Sequence, residues 1–304
     1  MPENNLKQAM LPVGGTVFEN NHGTAPGAAL EKNGKCVIIL PGPPGELVPM
    51  FNESVRGFLK KYSDGAIVSH TVNIIGMGES SVAEEIEDMF DAKNPTIAPY
   101  AKSGEVRLRI TAKSETADEA DKMCAPVVDE ICSRLGDVVY GTDMNSIEER
   151  VVALLKEKGK KIATAESCTA GYIPKRLTDI PGASEVFECG IVSYSNDIKT
   201  KLLGVSPKTL DTYGAVSEQT AREMALGAKH VSGADIAIST TGLAGPGGDG
   251  VLPGGLSFAA VTDGERTVVE KIVTGHENDR EYNRYVTASR ALNLARLMLE
   301  EKIK

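Results

Sequence analysis

The chain has 304 residues, 41% of them hydrophobic and 25% charged, with 31 glycines and a formal net charge of −9. That composition fits a globular α/β protein with more than one core and excludes disordered, fibrous and, with no apolar run near ~20 residues, membrane-spanning classes. The negative balance argues against nucleic acid as a general partner. An anionic small molecule stays possible, because a few local cations or N–H groups can hold one phosphate.

In chain order, the first segment runs to about residue 62. Residues 36–40 predict a buried strand, stopped by Pro41-Gly42-Pro43-Pro44, and residues 46–61 predict a helix. One strand and one or two helices cannot cover a sheet, so 1–62 reads as the tail of a larger unit. The second segment, 69–140, opens with a strand at 71–75. Ser81 and Glu84 then stand at capping-box spacing for a helix. Residues 105–112 alternate as a strand, 115–136 predict a helix and 137–141 a closing strand, which makes a small α+β module. Residues 141–143 read as a linker.

From 146 to 304 strands and helices alternate. Ser146 and Glu149 form a second capping box. Strands are predicted at 161–165, 186–194, 235–240, 256–262 and 267–274. Helices are predicted at 169–178, from 196, at 218–231 and from 279 to the end. Because Pro174 must lie in a first turn, the helix after the first of these strands is expected to start near Gly171. The segment reads as a complete α/β domain, a mixed sheet flanked by helices.

Four stretches of this domain could carry chemistry. Thr164-Ala-Glu-Ser-Cys-Thr-Ala-Gly171 follows an apolar strand and offers Ser167 as a nucleophile or as a helix cap. Cys168 is its rival, with no histidine nearby in sequence to activate it. In Ser193-Tyr-Ser-Asn-Asp-Ile-Lys199, Lys199 falls in the first turn of a helix capped by Ser195 or Asn196. It is either a lysine reaching into water or, if buried, a base whose ammonium form is disfavoured there. The glycine-rich run 242–255 is a surface connection or a loop whose N–H groups approach an anion. Arg280 and Arg284 stand four apart on the last helix, a solvated face or a phosphate grip. The polar start, the five scattered cysteines without a CxxC pair and the four histidines without ligand spacing lead to the expectation of a cytoplasmic protein with no metal.

Together these stretches, with Phe187-Glu-Cys-Gly, Tyr213-Gly-Ala-Val-Ser and Ser239-Thr-Thr-Gly-Leu-Ala-Gly, resemble the nicotinamide-nucleotide amidohydrolases that form the C-terminal domain of CinA-type proteins. The earlier segments resemble the end of their molybdopterin-binding-like domain and their KH-type module. The resemblance implies a CinA-type chain lacking most of its first domain. It also implies hydrolysis of nicotinamide mononucleotide to nicotinate mononucleotide and ammonia, without a cofactor. It implies Ser167 as nucleophile, Lys199 as base and Tyr194 as proton relay or orienting group. N–H groups near Gly171 and Thr241-Gly242 would bind the oxyanion, with Thr169 and Gly245 also at the substrate and Arg280 or Arg284 on the phosphate. A homodimer is expected. The alternatives are an ADP-ribose hydrolysis that needs the first domain, or a non-catalytic nucleotide-binding role. The KH-type module reads as a spacer or dimer element. Gly76-Met77-Gly78-Glu79 lacks the GXXG spacing that clamps nucleic-acid backbones, and acidic residues crowd the helix after it.

The chain departs from the family in places. Ala170-Gly171 stands where Gly-Gly is usual, Pro174 is unexpected in that helix, and Pro253-Gly-Gly-Leu-Ser-Phe258 replaces the usual Pro-Val-Gly-Thr-Val-Tyr. Ala170 costs little at negative φ and strains the turn at positive φ.

Overall fold

A computed structural model describes residues 7, 8 and 10–303 of the chain. It divides into two compact units, one up to Ala66 and one from Ile67.

The first unit is an antiparallel meander of β1 (Thr16–Phe18), β2 (Gly27–Lys32) and β3 (Lys35–Ile39). A helical run follows: α1 (Pro44–Met50), a π-helical stretch at Phe51–Val55, and α2 (Arg56–Leu59). Pro44 opens α1, where its fixed φ is suited and no N–H is needed. The helices cover one sheet face through Phe18, Ala29, Met50 and Val55, with the Phe58 ring edge-on to Phe18 at 5.4 Å. The expected buried strand at 36–40 is thereby corrected. β3 alternates, because the helices cover only the face carrying Cys36 and Ile38, and Val37 and Ile39 stay about 60% exposed (61% and 59%).

The second unit takes up from the second residue of β4 (Ala66–Ile75), which leads to α3 (Glu79–Glu85), then to the hairpin of β5 (Thr96–Lys102) and β6 (Glu105–Ser114). The long α4 (Ala117–Leu135) and β7 (Val139–Thr142) complete a four-stranded sheet in the order β5-β6-β4-β7. Val72, Ile74, Leu108 and Ile110 pack under Val82, Ala120, Cys124 and Ile131. Ser81 is not the cap it was expected to be. Gly76 is left-handed (φ 86) and Gly78 extended, which starts α3 at Glu79 and leaves Ser81 inside it.

The cap at Ser146 forms, with the return bond of the box shifted by one residue. Its hydroxyl accepts from the Glu149 N–H, and Glu149 reaches back to the Asn145 N–H at 2.8 Å, opening α5 (Ile147–Lys158). The chain continues through β8 (Ile162–Glu166), α6 (Tyr172–Thr178), β9 (Phe187–Val192), α7 (Asn196–Leu203) and α8 (Pro207–Tyr213), which was not foreseen. Then come α9 (Glu218–Ser232), β10 (Ile236–Gly242), β11 (Leu256–Thr262), β12 (Thr267–Val273) and α10 (Arg280–Leu299). The sheet order is β12-β11-β10-β8-β9, with β8 parallel to both neighbours and β11 and β12 antiparallel. Helices α5, α6 and α10 bury Ile162, Ile236 and Val261 on one face. On the other, α7 and α9 bury Ala163, Ala165 and Ala237 beneath Leu203 and Met224. The architecture is mixed α/β, and β8, covered on both faces, is buried at every residue.

Candidate active site

Because β8 runs parallel to β9 and β10, the carboxyl ends of all three strands meet at one rim. Ser167 leaves β8 there, Ser193 and Tyr194 leave β9, and Thr241 and Gly242 end β10. Crevices at such strand ends are where open α/β sheets bind ligands. Side chains alternate across a strand, so Glu166, in phase with Ile162 and Thr164, points under α6. Ser167 falls on the opposite side, toward α7.

Lys199 comes up from α7 to meet it. Ser195 caps that helix and places Lys199 in its first turn. The Nζ lies 3.1 Å from Ser167 Oγ, 2.8 Å from the Ser193 carbonyl and 3.4 Å from the Tyr194 carbonyl. The lysine is 1% exposed, and burial lowers its pKa below the ordinary lysine value. Once it is neutral, two N–H bonds can stay on the carbonyls while the lone pair faces the serine hydroxyl. That is the arrangement of a base with its nucleophile. Burial acts oppositely on Cys168, pushing its thiol up to about 12 and keeping it protonated.

The pair opens into a cleft of about 320 Å³, within the range of small-ligand sites. Ala215, Val216, Leu243 and Ala244 give it an apolar wall, and Thr241, Gly242 and Gly245 form the rim. Thr241 ties the loop before α9 in place by donating to the Ala215 carbonyl at 2.6 Å. A Cβ on Gly242 would lie 2.5 Å from that of Ser257, so the close passage of β10 against β11 requires glycine.

The two arginines part company. Arg280, first residue of α10, lines the cleft, donating to the Gly245 carbonyl at 2.8 Å and to the Tyr194 hydroxyl at 3.4 Å. Arg284, one turn on, donates to the Thr169 carbonyl at 2.6 Å and lies over the Tyr172 ring. Tyr194 is 62% exposed, with its hydroxyl toward Arg280 and only its carbonyl toward Lys199. Thr169 and Gly171 sit behind the cleft. The Thr169 hydroxyl pairs with that of Thr240 at 2.6 Å, and the Gly171 N–H faces the Glu166 carboxyl. Among the described residues no group of three or more His, Cys, Asp or Glu side chains could hold a metal ion, and no helix is long and apolar enough to cross a membrane.

Comparison with known proteins gives the ancestry. Residues 144–299 match the CinA C-terminal domain and residues 69–141 the Damage-inducible protein CinA KH domain. A relative from Clostridium beijerinckii, described as a competence-damage inducible protein, is 53% identical over 281 residues, covering 91% of this chain and 68% of the relative. The chain belongs to the CinA family. A CinA-like protein from Desulfovibrio desulfuricans is 46% identical over 96% of this chain and 70% of its own. The solved competence/damage inducible protein CihA from Agrobacterium tumefaciens is 38% identical, covering 51% of this chain and 93% of its own, with a TM-score of 0.49. In this CinA chain the KH module turns its Gly76–Glu79 loop toward α10, where Arg290 Nη1 lies 3.0 Å from the place a Gly76 Cβ would take.

Sequence reasoning missed Glu166, the lysine-holding carbonyls of Ser193 and Tyr194, and the Ala215-Val216 wall. Glu166 left a signal, a carboxyl in phase with the inward residues of a buried strand, and Ala215 and Val216 lay within the Tyr213-Gly-Ala-Val-Ser stretch; backbone carbonyls leave none.

Proposed function

We propose that the chain is a nicotinamide-nucleotide amidohydrolase, cleaving the carboxamide of nicotinamide mononucleotide to nicotinate mononucleotide and ammonia. The observation that carries this is the 3.1 Å approach of the buried Lys199 Nζ to Ser167 Oγ, made across 32 residues of chain. Neutral Lys199 takes the hydroxyl proton as Ser167 attacks the carboxamide carbon, which the electron-poor pyridinium ring makes electrophilic. The oxyanion faces N–H groups of the Thr241-Gly242 rim, since the Gly171 N–H is turned to Glu166. Lys199 passes its proton to the departing ammonia, leaving an ester on Ser167. Water, deprotonated by the same lysine, then attacks the ester; the ester bond breaks, Lys199 returns the proton to the Ser167 oxygen, and the acid leaves as its carboxylate, its proton taken up by ammonia.

The rest of the cleft suits the substrate. The apolar wall takes the ring, and Arg280, at the mouth, takes the phosphate. Tyr194 orients Arg280, and Arg284 and Thr169 brace the turn that carries Ser167. The test is to incubate the full chain with nicotinamide mononucleotide and measure ammonia and nicotinate mononucleotide. Equal amounts of both are expected from the wild type and from Cys168→Ala, and neither from Ser167→Ala. Absence of product from the wild type, or loss in the cysteine variant alone, rejects the reading.

A further inference from the structure

Glu166 is wholly buried, and the mechanism above does not use it. Its backbone is pinned on both sides: its carbonyl accepts from the Ser193 N–H at 2.8 Å, and the next N–H, of Ser167, donates to the Thr240 carbonyl at 2.9 Å. Its side chain holds the far end of the same turn. Oε2 accepts from the Ile173 N–H at 3.2 Å, and the Thr169 hydroxyl and the N–H groups of Tyr172 and Gly171 lie near the same carboxyl, that of Tyr172 also donating to the Thr169 carbonyl at 3.2 Å. One residue thus closes the loop 166–173 at both ends, with Ser167 between.

That loop contains two consecutive left-handed residues, Gly171 at φ 88 and Ala170 at φ 49. Glycine takes this conformation freely, whereas the alanine Cβ opposes it, and such strain persists only where surrounding contacts over-determine the backbone. Burial disfavours the charged form of the Glu166 carboxyl, and among the described residues its Oε1 has no hydrogen-bond partner, so the carboxyl sits at a cost. A costly buried carboxyl and a strained alanine meet in the turn that presents the serine.

We propose that Glu166 is the positioning residue of the nucleophile turn, its carboxyl holding Ser167 at Lys199 against the strain that Ala170 introduces. The inference rests on the reading of Ser167 as nucleophile, and the test separates the two. A fluorophosphonate reports an activated serine without any nucleotide. The serine oxygen bonds to phosphorus, fluoride leaves, and the hydroxyl proton passes to Lys199. Labelling rates are measured on the full chain well below its melting temperature, with the adduct located by peptide mass spectrometry.

Wild type should label at Ser167. Glu166→Leu, which cannot accept the Ile173 N–H, should label at least about tenfold slower, and Glu166→Gln, which keeps an acceptor oxygen, should recover most of the rate. Adding Ala170→Gly to Glu166→Leu should raise labelling by a larger factor than the same change does in wild type. If Glu166→Leu does not fold, Glu166→Asp, one methylene short, takes its place with the same expectation. Wild-type labelling rates in the folded Leu or Asp variant, or equal gains from Ala170→Gly in both backgrounds, overturn the positioning role. Absence of a Ser167 adduct in the wild type overturns the nucleophile reading and this inference with it.

Discussion

Arg280 and Arg284 look equivalent in the sequence, two guanidinium groups one helical turn apart, and the structure gives them different work. Arg280 stands at the mouth of the cleft and Arg284 against the turn that carries Ser167. A charge-assisted contact to phosphate is worth about 1.5–3 kcal/mol, so Arg280→Ala should raise the half-saturating concentration of nicotinamide mononucleotide at least about tenfold. Arg284→Ala should instead lower kcat and the melting temperature. Equal saturation in wild type and Arg280→Ala would place the phosphate elsewhere. The pairing of Ser167 with Lys199 could be named from the resemblance, since both lie in motifs. That Arg284 serves the turn and Thr169 sits behind it could not. Those facts depend on how far α10 advances over α6, which no local pattern encodes.

At the scale of elements, local chemistry made much of the C-terminal domain legible. Ser146 and Glu149 mark the start of α5 because a capping box satisfies orphan N–H groups within one turn, and Pro174 sets the late start of α6. The same signal misled at Ser81, where the left-handed Gly76 bends the chain early and α3 begins two residues before it. Strand β3 misled differently. Its apolar run implied two covered faces, and one is bare. The turn before α6 carries a prediction of its own. An alanine in the left-handed region costs roughly 1–2 kcal/mol, and glycine there gives back ~0.5–1 in unfolded-chain entropy. Ala170→Gly should therefore stabilise the fold by roughly 0.5–1 kcal/mol, a rise of ~1–4 °C in melting temperature. A fall in melting temperature would mean that the alanine methyl packs to advantage.

At the scale of the whole chain, the two units differ in how much they bury. Among its described residues the first has a small core around Phe18, Ala29, Met50 and Val55, with Val17, Val37 and Ile39 left exposed. The second holds the large core around Ile162, Ile238 and Leu292 together with that of the KH module. Small cores stabilise little and open first. Amide hydrogen exchange should therefore be fast in β1 to β3 and slow in β8, β10 and α10, and uniform protection would contradict this. Stability of the second unit should also respond to alkali. Between the lowered pKa of Lys199 and the ordinary value of 10.5, the unfolded chain holds a proton that the folded chain has shed. The lysine's own contribution to stability should therefore rise with pH across that window, read as the difference between wild type and Lys199→Met, because the raised Cys168 thiol works the other way above 9.0.

The same lysine decides the mechanism. Ammonia release from nicotinamide mononucleotide, followed against pH in wild type and Lys199→Arg, tests it most directly. The wild-type rate should climb along a limb whose midpoint lies below 10.5, because only the neutral amine accepts the serine proton. Lys199→Arg keeps the charge but cannot give up its proton, and should be nearly inactive at every pH. Near-normal turnover in the arginine variant would show that Lys199 is not the base.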